Sequence, residues 1–125
     1  MPVLANHFYV LPANADLLVE GHFFKIVTPR SRPNAQIDVF FTSLAEAMGA
    51  RAIGIIFSGY DGDGTAGCKH IKAKGGITFA QDMSAEVAQM PRSAQAAGCI
   101  DFVLAPGKIP AALLKLATPS INKRR

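Results

Sequence analysis

From residue 37 onward, short apolar runs alternate with segments whose apolar residues recur every three or four positions. Ala52-Ile53-Gly54-Ile55-Ile56-Phe57 is a continuous apolar run, the pattern of a strand covered on both faces. Residues 65–74 have helical spacing and stop at Gly75-Gly76. Ile77-Thr78-Phe79-Ala80 is a second strand, ended by Gln81-Asp82. Pro91 suits the first turn of a short helix that ends near Gly98. Residues 100–104 form a third strand, and Ile109, Leu113 and Leu116 mark a closing helix. Strands and helices in strict alternation dictate parallel strands, right-handed crossovers and helices on both faces.

The first third differs. Phe8-Tyr9-Val10-Leu11 reads as a short strand, followed by turn residues Pro12-Ala13-Asn14-Ala15-Asp16. Leu17-Leu18-Val19 and Phe23-Phe24-Lys25-Ile26-Val27 flank Glu20-Gly21-His22, the pattern of a hairpin. Residues 28–33, TPRSRP, make a stiff basic connector. Asn34 is placed to cap a helix in which Ile37, Phe40, Phe41, Leu44 and Met48 form one apolar stripe. These are core positions, and Gly49 closes the helix. The expected fold is therefore a three-layer α/β/α arrangement with a mainly parallel sheet plus a β-hairpin near the N-terminus. Three strands are few for a sheet with a ligand crevice at its carboxyl edge, so an incomplete domain is expected.

Composition removes several classes of function. Half of the 125 residues are hydrophobic and 18% are charged, which suits a packed core and not a disordered chain. No apolar run approaches the roughly 18–20 residues that cross a bilayer, and the first residues lack the basic start of a secretory signal. The net charge of +4 owes most of its excess to the terminal Lys123, Arg124 and Arg125. There is no Trp, and the Phe residues sit in apolar runs, so nucleic acid is not an expected partner. Cys68 and Cys99 lack zinc-site spacing and read as buried small residues in a reducing, cytoplasmic compartment.

The stretch that could carry chemistry is Ser58-Gly59-Tyr60-Asp61-Gly62-Asp63-Gly64-Thr65. It puts two carboxylates after a buried strand and before a helix, where α/β enzymes keep functional groups. Read locally, Asp63 caps the helix that begins near Thr65. Read by letters, Asp61-Gly62-Asp63-Gly64-Thr65 matches the DxDGT motif of haloacid-dehalogenase-like phosphatases. There the first Asp would attack phosphorus and both would face Mg²⁺. The remaining residues lack the paired carboxylates such a site needs to hold its metal.

Nearly the whole chain resembles the C-terminal half of the catalytic domain of CheB-type chemotaxis protein-glutamate methylesterases, closest to the version in methylesterase–methyltransferase fusions. Asn6-His7-Phe8-Tyr9-Val10-Leu11-Pro12, with Asn14 and Asp16-Leu17, resembles the family's NHVYVLPPNxDL. Ile37-Asp38, Phe40-Phe41 and Ser43-Leu44-Ala45-Glu46 resemble its IDxFFxSLAE, and Arg51 through Ile56 its RAIGVIL. Ser58-Gly59, Asp63-Gly64-Thr65 and Gly67 resemble SGxGxDGxxG. Gly75-Gly76, Gln81-Asp82, Met90-Pro91-Arg92-Ser93-Ala94 and Asp101-Phe102-Val103-Leu104 follow in family order.

The resemblance implies a serine hydrolase that removes methyl groups from glutamate methyl esters on chemoreceptor cytoplasmic domains through a Ser-His-Asp triad. It maps the triad Asp onto Asp63, the residue lining the oxyanion site onto Tyr60, and the surrounding site onto Gly59 and Met90. It implies no metal and no cofactor. The family's Ser and His lie upstream of the matched region, and this chain has no GxSxG elbow. His7, His22 and His70 read as structural or solvated, and Ser58 has no base aimed at it. The 125 residues are therefore expected to be an inactive part of one methylesterase domain. A receiver or methyltransferase domain could accompany it in the full-length protein, and exposed sheet edges favour a homodimer of the isolated part. A docking module without catalysis is the alternative. Asp61 departs from the family's Gly at its position; the two carboxylates could raise the pKa of either one, and Asp61 could strain the loop.

Overall fold

The computed structural model describes residues 1–117; Ser120 and the basic tail at 123–125 lie outside the described residues. Strands β1 (Asp16–Glu20) and β2 (Phe23–Val27) form the antiparallel hairpin, with Glu20 opposite Phe23 across Gly21-His22. Helix α1 (Gln36–Met48) follows, then β3 (Ile53–Ile56), α2 (Thr65–Ala73), β4 (Ile77–Gln81), α3 (Gln89–Ala96), β5 (Phe102–Leu104) and α4 (Ile109–Ala117). The second sheet is parallel in the order β3-β4-β5. The α/β class, the parallel sheet and the hairpin are those the sequence dictates.

Residues that pair across parallel strands share a face. Gly54 faces Phe41 and Ile71, and Ile56 joins them in the core with Ala45, Cys68, Ala94 and Cys99. Ile55, Phe79 and Phe102 occupy the opposite face, where the Phe79 and Phe102 rings stack at 5.1 Å. Residues of α4 line a cavity with those two rings. Both cysteines are free and buried, and burial pushes the Cys68 thiol up to about 12, which leaves it un-ionised at neutral pH.

Three local expectations are corrected. Phe8-Tyr9-Val10-Leu11 keeps a strand's alternation, with Tyr9 and Leu11 turned inward and Phe8 95% exposed, but it forms no ladder. Tyr9 instead packs edge-on against Phe24 at 4.7 Å, and residues 1–3 pair beside β2. A β-prone run becomes a strand only where a neighbour accepts its hydrogen bonds. Asn34 does not cap α1: it takes φ 54°, Ala35 is the N-cap, and no side chain of the helix's own cap position bonds the first turn. Strand β3 is not covered on both faces among the described residues: Ile53 is exposed and Ile55, on the same face, lines a cavity of about 440 Å³.

Asp101 fastens the far side of the sheet. Its carboxylate accepts from the Thr78 N–H at 2.9 Å and from Lys72 Nζ at 2.7 Å. Thr78 is fully buried, so truncating Asp101 strands a buried donor. Asp101→Ala is expected to lower stability by about 1–3 kcal/mol in urea denaturation. Burial pushes the Asp101 carboxyl up, but the Lys72 and Thr78 bonds outweigh it and hold the carboxyl below the ordinary aspartate value. The stabilisation is thus present above the unfolded-state pKa and is lost as pH falls through the folded one. A wild-type minus D101A difference that stayed constant from pH 7 to pH 2 would contradict this.

Candidate active site

The loop 57–64 leaves the carboxyl end of β3 and is latched to the segment before α3. Ser58 Oγ donates to the Val87 carbonyl at 3.1 Å and accepts from the Val87 N–H at 2.8 Å. The Gly59 N–H donates to the Val87 carbonyl, and the Met90 N–H donates to the Gly59 carbonyl at 3.0 Å. Met90 lies over Gly59 so closely that a Cβ there would stand 2.6 Å from Met90 Cε. Gly59 and Met90 therefore meet at the rim where β3 ends. Tyr60 projects outward, 77% exposed, and its backbone N–H has no acceptor among the described residues.

Asp63 is buried, 7% exposed. Its carboxylate does not cap α2, as a local reading suggests. It reaches across to the amino end of α1, where Oδ2 accepts from the Ile37 N–H at 2.9 Å and Oδ1 from the Asp38 N–H at 2.8 Å. Those are the second and third residues of α1, whose N–H groups have no partner within the helix. Asp61 Oδ1 accepts from the Asp63 N–H at 2.9 Å and so fixes the loop's turn. Asp61 is not among the positive-φ residues, and the feared backbone strain is absent.

Burial pushes the Asp63 carboxyl above the ordinary aspartate value. The Ile37 and Asp38 amides pull it down, and the negative charges of Asp38 and Asp61 add to the upward push. Asp63 therefore favours the folded state most fully below its unfolded-state pKa, and that contribution is lost as pH rises through the folded pKa. Asp61→Asn keeps an oxygen for the Asp63 N–H and removes a like charge. We expect it to lower the Asp63 pKa in a carbon-detected NMR titration of the side-chain carboxyls; an unchanged or higher value would show that Asp61 contributes nothing.

Among the described residues no histidine nitrogen or serine hydroxyl bonds to Asp63. His7 Nδ1 pairs with the Ala5 carbonyl, exposed His70 with the Ala66 carbonyl, and His22 lies exposed in the hairpin turn. Asp61 and Asp63 face backbone amides, and no group of three His, Cys, Asp or Glu among the described residues is arranged to hold a metal. The sequence reading passed over two participants, Asp38 and Val87. Each acts on residues 25 to 29 positions away, and no local spacing signals such a contact.

Residues 1–113 match the family model described as CheB methylesterase. The chain belongs to the CheB methylesterase family. Among similar proteins, a putative protein-glutamate methylesterase/protein-glutamine glutaminase of Leptospira interrogans is 38% identical over 122 residues, a match that covers 93% of this chain and 62% of that one. A protein-glutamate methylesterase/protein-glutamine glutaminase of Hydrogenovibrio crunogenus is 34% identical, with 92% of this chain and 32% of that protein covered. The crystal structure of the Thermotoga maritima CheB methylesterase catalytic domain superposes with a TM-score of 0.74 at 27% identity, covering 85% of this chain and 60% of that one. The chain thus spans less than two thirds of the length of each of these relatives. No helix among the described residues is long and apolar enough to cross a membrane.

Proposed function

We propose that this chain is part of a protein-glutamate methylesterase of bacterial chemotaxis and that Asp63 is the carboxylate of its Ser-His-Asp triad. The observation that carries the reading is the state of Asp63 itself. It is a buried carboxylate at the carboxyl rim of a parallel sheet, held by two backbone N–H groups that leave it further lone pairs. In a triad the Asp orients the imidazole through its N–H and stabilises the charged form that appears when Ser attacks the ester carbonyl. The carboxylate must be rigid and poorly solvated to do so, and the α1 amides supply the rigidity.

The nucleophile and the histidine belong, in this proposal, to the remainder of the CheB domain. The 125 residues alone are then inactive toward esters. The Tyr60 N–H is the candidate oxyanion donor, with Gly59 and Met90 shaping the substrate rim. Water is the only co-substrate needed, so the reading calls for no cofactor. The substrate class is a glutamate methyl ester on a receptor helix. The exposed edge residues Ile53 and Phe102 give the isolated chain a route to self-association.

The test is methanol release from methylated receptor by the full-length protein, with and without Asp63→Asn. Turnover that depends on Asp63 supports the esterase. Receptor binding without turnover in either form would establish the docking module instead. Ester turnover by the 125-residue chain alone would overturn the divided triad.

A further inference from the structure

Neither α1 nor α2 is capped by a side chain of its own N-cap residue, which is Ala35 in one and Gly64 in the other. Each is capped by a carboxylate from the other. Asp63, next to the start of α2, takes the N–H groups of Ile37 and Asp38. Asp38, in the first turn of α1, returns the contact. Its Oδ1 accepts from the Gly64 N–H at 2.9 Å and from the Gly67 N–H at 2.8 Å. A capping box serves the N-cap and N3 amides of one helix with two side chains of that same helix. Here a single oxygen from a different helix serves both amides of α2. The two helix starts are locked face to face, at a distance that requires Gly67: a Cβ there would lie 2.5 Å from Phe41 Cβ and 3.2 Å from Asp38 Cα.

We infer that Asp38 is a positioning residue for Asp63, fixing through the Gly64 and Gly67 amides the direction in which the Asp63 carboxylate points. The inference rests on the esterase reading of the loop. Asp63 immediately precedes Gly64, so the grip of Asp38 on the Gly64 amide acts one residue from the triad carboxylate. The Asp38 N–H then holds one oxygen of that carboxylate directly. The loop has further restraints in Asp61, which fixes the Asp63 N–H, and in the Ser58–Val87 latch. Asp38 is the one of these whose side chain also bonds the first turn of α2. A displacement of about 1 Å at a catalytic group can lower turnover on the order of 10²-fold.

Three variants of the full-length protein separate geometry from charge. Both amides bond the same oxygen, so Asp38→Asn preserves the arrangement with its carbonyl and removes the charge. We expect it to keep kcat within a few-fold of wild type, and to move the kcat–pH profile to lower pH as a like charge leaves Asp63. Asp38→Glu keeps the charge and a helix-compatible residue but displaces the acceptor. Asp38→Ala removes it. Both are expected to lower kcat about 10²-fold with KM nearly unchanged, the split expected when a carboxylate is misaimed and substrate still binds. If Asp38→Ala fails to fold, Asp38→Glu decides. Wild-type kcat in Asp38→Glu, in a protein that Asp63→Asn inactivates, would overturn the inference and leave the esterase reading intact. Insensitivity of turnover to Asp63→Asn would instead remove the esterase reading itself.

Discussion

Under the proposed triad, Asp63→Asn in the full-length protein is expected to lower kcat for methyl-ester hydrolysis by about 10³–10⁴-fold while the protein stays folded. The size of the effect follows from what a neutral amide cannot do. It presents an N–H₂ on one side where the carboxylate has a second oxygen, so the imidazole can be held in the wrong tautomer. It also carries no charge to oppose the imidazolium formed during attack. Residual catalysis would remain from the oxyanion donors and from substrate binding. The same substitution weakens the α1 cap, because the Ile37 and Asp38 amides bond different oxygens and Asn has only one. About 1–3 kcal/mol of stability goes with it. Circular dichroism and thermal melting beside the kinetics keep the two losses apart. A folded Asp63→Asn protein with turnover within tenfold of wild type would sink the assignment.

Gly64→Ala is expected to cost about 2–5 kcal/mol, a large share of the ~5–15 kcal/mol that holds a domain together. Gly64 has φ 101° and ψ −21°, in the left-handed region that disfavours a Cβ by about 1–2 kcal/mol. The added methyl would stand 2.5 Å from Ile56 Cδ1 and 3.1 Å from Ile37 Cγ2. Ile56 is buried in the core, so relief requires moving packed side chains, at about 1–3 kcal/mol. The shift also disturbs the Gly64 N–H that bonds Asp38. Urea denaturation of wild type and G64A reads the sum. A loss below ~1 kcal/mol would mean that the loop adapts more freely than its contacts indicate.

Much of the architecture was legible because it depends on periodicity. The steps of three and four among Ile37, Phe40, Phe41, Leu44 and Met48 place α1 on the core, and Phe41 is indeed buried there. The apolar runs at residues 53–56 and 77–80 become β3 and β4, since each has a neighbouring strand to pair with and a face packed on the core. Phe8 and Val10 show the limit of that logic. Their run has the composition of a strand, yet they remain exposed, because pairing depends on a neighbour and not on propensity. Of the candidate site, the glycine-rich loop between a strand and a helix singles out Asp61 and Asp63, while Tyr60, Gly59 and Met90 come from the family resemblance; the structure sets Met90 against Gly59.

The amino-acid sequence by itself determined the order of the elements, the family to which the chain belongs and the loop that carries the carboxylates. Those follow from local periodicity, from turn residues and from blocks of letters in a fixed order. Only the tertiary structure decided where the carboxylates go. Asp63 and Asn34 both stand where a local rule places a cap, yet Asn34 adopts φ 54° and Asp63 turns away from its own helix to serve α1. The reason is geometric. The unpaired N–H groups of a helix start donate to whichever oxygen arrives at about 2.9 Å, and the packing of α1 on α2 brings Asp63 and Asp38 there from 25 to 29 residues away.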